Sequence, residues 1–173
     1  MRPLASPAFV ARRPIMVGVV CDYCGCRDVT PIRELSEEHE RITELLVEVR
    51  ERLGAGGEVA AAPVLAELQH DLRPHLLREE SGIFAQLEAV PEFAEYLGRL
   101  TGDHNSARAG LLAVDPAGSG WAEPVLAGLE ELVEHIGVEE YDLFPSSRVV
   151  IDDAGWGAVM EAHEAFDARR PQR

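Results

Sequence analysis

The sequence predicts an all-α fold, an up-down-up-down four-helix bundle with a short extra C-terminal helix and a non-helical N-terminal arm. Apolar residues recur at alternating intervals of three and four along four long segments, which is the period of a packed helix. No alternation typical of a strand reaches a useful length, and the loops are short and rich in Gly, Pro and Ala. The expected divisions are an arm at 1–29, the bundle at 30–147, and a C-terminal helix and tail at 148–173.

The first helix is predicted to start at Thr30 and Pro31, because a capping residue followed by proline is a common helix start. Three glycines, Gly54, Gly56 and Gly57, are expected to end it. Its buried face is formed by residues three and four apart, namely Ile32, Leu35, His39, Ile42, Leu46, Val49 and Leu53. One member of this otherwise apolar face is a histidine.

Three further long helices and one short helix are predicted. The second covers about residues 63–89, and the third ends before Pro116. The fourth starts near Glu123 and is expected to stop at Pro145, and the short fifth covers about residues 153–168. Each of these three long helices also carries a histidine on its apolar face, namely His75, His104 and His135.

The chain of 173 residues is acidic, with 31 Asp and Glu against 16 Lys and Arg and a formal net charge of −15. A surface of this kind repels nucleic acid and anionic membranes, so neither is expected as a partner. No stretch approaches the ~20 apolar residues of a membrane span. The apolar run at 15–20 is shorter than the ~7–15-residue core of a signal peptide, so we expect a cytoplasmic protein.

A six-residue motif occurs twice in the sequence. Residues 75–80 read His-x-x-x-Glu-Glu, and residues 135–140 repeat this pattern. A histidine and a glutamate four residues apart lie on one face of a helix, and here that face is the apolar one. Burying a carboxylate without a partner costs several kcal/mol, and the usual escape is protonation or a bound cation. The repeat therefore predicts two metal-binding helices that face each other.

The histidines of the first and third helices complete this predicted site. His39 and His104 occupy matching places in the order of motifs, so the bundle should have approximate internal two-fold symmetry. Four imidazoles and two carboxylates without a thiolate suit iron, manganese or zinc, and bridging carboxylates in a bundle core indicate a di-iron centre. The candidate ligands are His39, His75, Glu79, His104, His135 and Glu139.

The order of these motifs resembles that of the hemerythrin-like family, also called HHE cation-binding domains. The resemblance covers about residues 31–147 and rests on four segments that agree in type, order and spacing: SEEHERITELL, HLLREESGIF, TGDHNSARAGLL and HIGVEEYDLF. It implies a non-haem di-iron centre, two iron ions with an oxo or hydroxo bridge, that binds dioxygen or related small molecules. By position, the six candidate residues named above would be its ligands.

The sequence departs from the oxygen-carrying hemerythrins in two places. The carriers have a second histidine four residues further along the third helix, but the residue four after His104 is Arg108. They also place the last carboxylate five residues after the fourth-helix histidine, which is Glu140 here, so Glu139 and Glu140 are alternatives. Four imidazoles and two bridging carboxylates would leave two octahedral irons with about two open positions. This openness favours peroxide, nitric oxide or redox chemistry at least as much as oxygen carriage.

Other side chains could take part in the site. His163 lies on the apolar stripe of the fifth helix, where it could close the open position or serve as a core or capping histidine. The second glutamate of each motif, Glu80 and Glu140, could orient the imidazoles from outside.

Cys21, Cys24 and Cys26 form a cluster in the predicted N-terminal arm. Three cysteines within six residues of a cytoplasmic chain suggest metal or redox chemistry more than a structural disulfide. A zinc site would lack a fourth ligand nearby, and a reversible Cys21–Cys24 pair could form by analogy with other C-x-x-C motifs. The alternative is three exposed thiols on a flexible arm.

Three functions are consistent with these features of the sequence. The first is binding or sensing of dioxygen, nitric oxide or a reactive oxygen species, with a protein partner that reads the redox state. The second is an enzyme that decomposes peroxide, as a catalase does, or oxidises a small substrate. The third is iron handling, for which two metal ions per chain make a poor store. The sequence favours the first two about equally and places iron handling third.

Overall fold

The computed structural model describes residues 25–169, and every regular element within them is helical. Thr30–Glu79 is one long helical segment that Gly57 divides, because its φ of 67° and ψ of −160° suit a glycine and not a helix. We call the part before Gly57 α1 (30–56). The part after it, α2 (58–87), continues through a π-helical turn at Glu80–Phe84 and a last helical turn at Ala85–Leu87.

The remaining helices include two more π-helical turns. Helix α3 (94–112) joins Ala94–Ala107 to the π turn Arg108–Leu112. Helix α4 (122–150) joins Ala122–Val138, the π turn Glu139–Leu143 and Phe144–Val150. Helix α5 is Asp153–Asp167, and the side chain of Asp152 caps it by accepting a hydrogen bond from the N–H of Gly155 at 2.8 Å.

The apolar core consists of two clusters separated by a polar layer. One cluster includes Leu45, Leu68, Leu111 and Leu129, and the other includes Leu35, Leu87, Leu100 and Phe144. In each of the four long helices, the histidine lies between residues of one cluster and residues of the other. Helix α5 packs against the Thr30–Glu79 segment and the π turn of α2. The buried polar layer thus lies between two apolar clusters inside the bundle.

Within residues 25–169 the structure confirms an all-helical fold with four long helices and a short C-terminal one, but two expected boundaries are wrong. The second helix begins at residue 58 rather than near 63, so Gly57 alone separates it from α1. The side chain of Glu58 accepts hydrogen bonds from Gly120 N–H and Ala122 N–H. Helix α4 also does not stop at Pro145. The helix continues through Pro145, directly after the π turn, as far as Val150.

The predicted N-terminal arm falls mostly on residues 1–24, outside the described part of the chain. Where it is described, Cys26–Asp28 forms a short 3₁₀ turn before α1. Among the helices of residues 25–169, none has the length and apolar composition needed to cross a membrane.

Candidate metal centre

Six side chains from the four long helices meet in the polar layer. Each helix contributes one histidine, and α2 and α4 each add a glutamate four residues further on, because that spacing keeps both groups on one helix face. All six are between 0% and 4% exposed. They are His39, His75, Glu79, His104, His135 and Glu139, the six candidates that the motif spacing predicts.

The inward atoms form two overlapping groups of four, and in each group they all lie within 4.8 Å of one another. The first group, which we call the α1–α2 half, contains His39, His75, Glu79 and Glu139. The second group, the α3–α4 half, contains His104, His135 and the same two glutamates. The shortest imidazole-to-carboxylate distances are similar in the two halves, at 3.1 Å from His75 Nε2 to Glu79 Oε1 and 3.2 Å from His135 Nε2 to Glu139 Oε2.

Most of these inward atoms have no hydrogen-bond partner among the described residues. Nε2 of His39, Nε2 of His75 and both oxygens of Glu79 and Glu139 are buried without one. Unsatisfied buried polar atoms are rare in folded proteins, and each costs on the order of 1–3 kcal/mol. A cation in each group would take these same atoms as ligands, since imidazole nitrogen and carboxylate oxygen both bind transition metals. The residues therefore fit a metal site.

The outer nitrogen of each ring contacts a second carboxylate. Because a carboxylate accepts, it keeps a proton on Nδ1, so that in the neutral ring the lone pair of Nε2 would face the interior, as a metal ligand needs. The four pairs are His39–Glu140 at 2.8 Å, His75–Glu38 at 2.9 Å, His104–Glu80 at 2.8 Å and His135–Asp103 at 3.5 Å.

The electrostatics of the layer favour positive charge. Burial alone would lower the pKa of His39, but the surrounding carboxylates, Glu139 foremost, raise it well above the usual value. In the same way, Glu139 overcomes burial and raises the pKa of His135 to about 9. Burial would raise the pKa of Glu79, yet the charge of His75 and contacts with the other imidazoles lower it well below the usual value. A metal cation would take advantage of the same attraction.

A match to a protein family accompanies this geometry. The family model for the Hemerythrin HHE cation binding domain matches residues 30–147, well over half of the chain. The chain belongs to this family. No curated protein and no solved structure matches it. The resemblance carried by the four motif segments is thus confirmed, and the domain is a cation-binding one of a kind that typically holds iron.

Two of the three π turns described in this hemerythrin-like domain lie at its carboxylates. One begins at Glu80, directly after Glu79, and another begins at Glu139. Such turns often occur at functional sites because they shift the side chains of one helix relative to each other. In α2, Glu79 faces the interior of the centre while Glu80 reaches Nδ1 of His104 from outside. The adjacent glutamates of the motif therefore have different contacts.

The remaining predicted residues lie outside the two groups. Glu140 contacts Nδ1 of His39, and His163 on α5 contacts the guanidinium of Arg78. Arg108 donates to both oxygens of Glu80, at 2.8 and 2.7 Å.

The cysteine cluster is described only in part. Cys26 is buried and disulfide-bonded. Cys21, Cys24 and the pair predicted between them lie outside the described residues.

Sequence reasoning missed several side chains next to the ligands. Glu38 and Asp103 were not singled out, although each directly precedes a histidine at a matching place, Glu38 before His39 and Asp103 before His104. This repeated acid–histidine pair was the available signal. Two stacked rings were also missed, Phe144 on His39 with centroids 5.6 Å apart and Phe84 on His104 at 5.1 Å.

Proposed function

We propose that this protein holds a dinuclear non-haem iron centre, with one iron in each half and with Glu79 and Glu139 bridging the two. The observation that carries the proposal is the pair of overlapping groups that share these two glutamates. Each group offers two imidazole nitrogens and carboxylate oxygens, a ligand set that suits iron. Because a carboxylate has two oxygens, a shared glutamate can give one to each metal. One ion per group then uses every unpartnered inward atom.

The charges around the layer support a pair of multivalent cations. Six carboxylates and two guanidinium groups lie in or next to the layer, so negative charge is in excess, and bound cations would offset it. Carboxylates on Nδ1 also make the imidazoles better electron donors and so stabilise oxidised iron. The charged groups are Glu38, Glu79, Glu80, Asp103, Glu139 and Glu140 with Arg78 and Arg108.

We infer that the centre binds or reacts with a small oxidant, namely dioxygen, nitric oxide or hydrogen peroxide. When bound, the two irons would supply one-electron redox chemistry and open positions for such a molecule. Apolar clusters enclose the layer on two sides, and no ligand side chain is more than 4% exposed. This burial argues against a large substrate and is consistent with a diatomic molecule or peroxide. A protein partner that senses the redox state completes this proposal.

Peroxide decomposition is the second candidate, and Arg108 favours it. Arg108 stands where the oxygen carriers have their fifth histidine, but its guanidinium contacts Glu80 rather than a metal group. The α3–α4 half thus provides two imidazoles, as the α1–α2 half does. A coordination position that a third imidazole would fill stays available for the oxidant.

Iron analysis combined with an absorption spectrum tests the main proposal. We expect about two irons per chain, and a sharp loss of iron in His104→Ala because each half depends on two imidazoles. His70→Ala is the matched control, since His70 is not among the residues of either ligand group. About one zinc without iron, or unchanged iron in His104→Ala, would overturn the assignment.

Exposure of the reduced protein to oxidants separates the two candidates. A reversible spectrum with dioxygen supports binding, and irreversible oxidation with rapid peroxide loss supports the enzyme. Arg108→His supplies the missing imidazole, so we expect it to slow peroxide loss several-fold relative to Arg108→Gln, which removes the same charge. Equal rates in these two variants would contradict the open-position argument.

A further inference from the structure

Helix α5 covers the π turn of α2 with a buried histidine. His163 is 3% exposed, and a Cβ added to Gly82 would lie 2.7 Å from its Nε2. The imidazole thus occupies the space that a side chain at Gly82 would need. This contact joins α5, which lies beyond the family-matched residues 30–147, to the turn that follows Glu79.

Arg78 connects this histidine to the metal centre. Its side chain is buried, and its Nη2 lies 3.2 Å from Nδ1 of His163 and 2.8 Å from Oε2 of Glu34. Its Nη1 donates to Oε1 of Glu38. The other oxygen of Glu38, Oε2, lies 2.9 Å from Nδ1 of His75. Three consecutive contacts therefore lead from α5 to an imidazole of the α1–α2 half.

The donor and the acceptor in the contact between Arg78 and His163 follow from the chemistry of the two side chains. A guanidinium only donates, so Nδ1 of His163 accepts and the neutral ring carries its proton on Nε2. Burial and the positive charge of Arg78 lower the pKa of His163, which agrees with a neutral ring. A guanidinium held by three acceptors has little rotational freedom. It therefore holds Glu38 in place, and Glu38 holds the ring of His75.

We propose that His163 is a positioning residue of the metal centre, which acts through Arg78 and Glu38 to hold His75 in the orientation that retains metal in the α1–α2 half. This inference rests on the proposed di-iron function. In this proposal α5 contributes to metal retention as well as to the packing of the bundle. Removing the acceptor at residue 163 frees one side of Arg78, which loosens Glu38 and with it Nδ1 of His75.

The test compares iron release to an excess of a strong chelator in two variants of the full chain. His163→Leu removes the acceptor, and we expect one of the two irons to leave about tenfold faster, the lower end of the effect of losing an outer partner. His163→Asn places an amide oxygen near the position of Nδ1 and should restore release to within about twofold. His70→Leu, at a histidine outside both ligand groups, is the control for the substitution itself.

A spectroscopic readout distinguishes positioning from general stabilisation. His163→Leu and Glu38→Gln should change the ligand-to-iron absorption of the same iron, and their effects on release should not multiply in the double variant, since they break one chain of contacts. Arg78→Lys keeps the charge, but a lysine cannot reach three acceptors at once, so this variant should also speed iron release. It tests the same chain of contacts even if His163→Leu fails to fold.

The outcomes are separable. If the unmodified chain holds less than about two irons, the proposed function fails. If it holds two but His163→Leu releases them as His70→Leu does, the positioning role fails while the di-iron centre stands. Multiplying effects of His163→Leu and Glu38→Gln would also overturn it, because they would show two independent routes.

Discussion

The two halves of the centre have the same ligand types but are held differently. In the α1–α2 half, Nδ1 of His39 and of His75 contact carboxylates at 2.8 and 2.9 Å, and neither ring is more than 1% exposed. In the α3–α4 half, Nδ1 of His104 has a carboxylate at 2.8 Å, but that of His135 has one only at 3.5 Å, from Asp103. A repeated motif therefore does not give two equivalent sites.

The surface outside the two halves also differs. A groove of about 450 Å³ between α3 and α4 is lined by His135 itself, together with Asp103 and Arg99. The cavity of about 370 Å³ beside the α1–α2 half is lined by Glu38 and Arg78 and reaches no ligand. We therefore expect metal and small molecules to exchange first in the α3–α4 half.

The largest effect should come from a residue that both halves share. Glu139→Gln removes the charge of a bridging carboxylate, so we expect the two halves to fail together and the protein to hold less than about one iron per chain. Iron analysis after desalting measures this. Glu134→Gln, at a glutamate of the same helix outside both ligand groups, is the control and should keep both ions. Loss of a single iron in Glu139→Gln would show that the halves do not share this ligand.

A smaller effect should separate the halves. Glu140→Gln weakens a buried carboxylate contact at 2.8 Å from His39, so we expect about a 10–100-fold loss of affinity for one iron. Asp103→Asn removes the same charge from a side chain that is 46% exposed and 3.5 Å from His135, and we expect less than about a threefold change. Competition with a chelator measures both. A larger loss in Asp103→Asn would reverse the order of the two halves.

The two halves also differ in how their π turns are covered. Helix α5 packs on Gly82 in the π turn of α2, whereas the matching residue in the π turn of α4, Asp142, is exposed. Gly82→Ala places a Cβ 2.7 Å from His163 and should destabilise the metal-free protein by about 1–3 kcal/mol. Gly98→Ala, at an exposed helical position with open space, should stabilise it by about 0.5–1 kcal/mol. Denaturant unfolding compares them, and equal shifts would argue against this docking of α5.

The sequence was sufficient to predict the helices and the six inward side chains because both depend on a local period. The spacing of His75 and Glu79 already places them on one face, whatever the partner helices do. The contacts that make the halves unequal connect residues distant in sequence, such as Glu140 to His39 and Arg78 to His163. No period encodes such pairs. The π turns were also not predicted, since they are rare, single-turn features inside longer α-helices.

The smallest expected effect is on iron release, and it concerns the arginine that contacts an outer carboxylate in each half. Arg78 is buried, but Arg108 is one third exposed where it contacts Glu80, so salt should screen only the second pair. Raising the salt from about 0.05 M to about 1 M should speed iron release from the α3–α4 half about two- to fivefold, as expected for an exposed pair worth up to ~1 kcal/mol. Chelator kinetics at both salt concentrations measure it, and Arg108→Gln should lose this salt response while Arg41→Gln, at an exposed arginine of α1, should keep it. If the Arg108→Gln protein responds to salt as the unmodified chain does, then Arg108 does not hold His104 in place through Glu80.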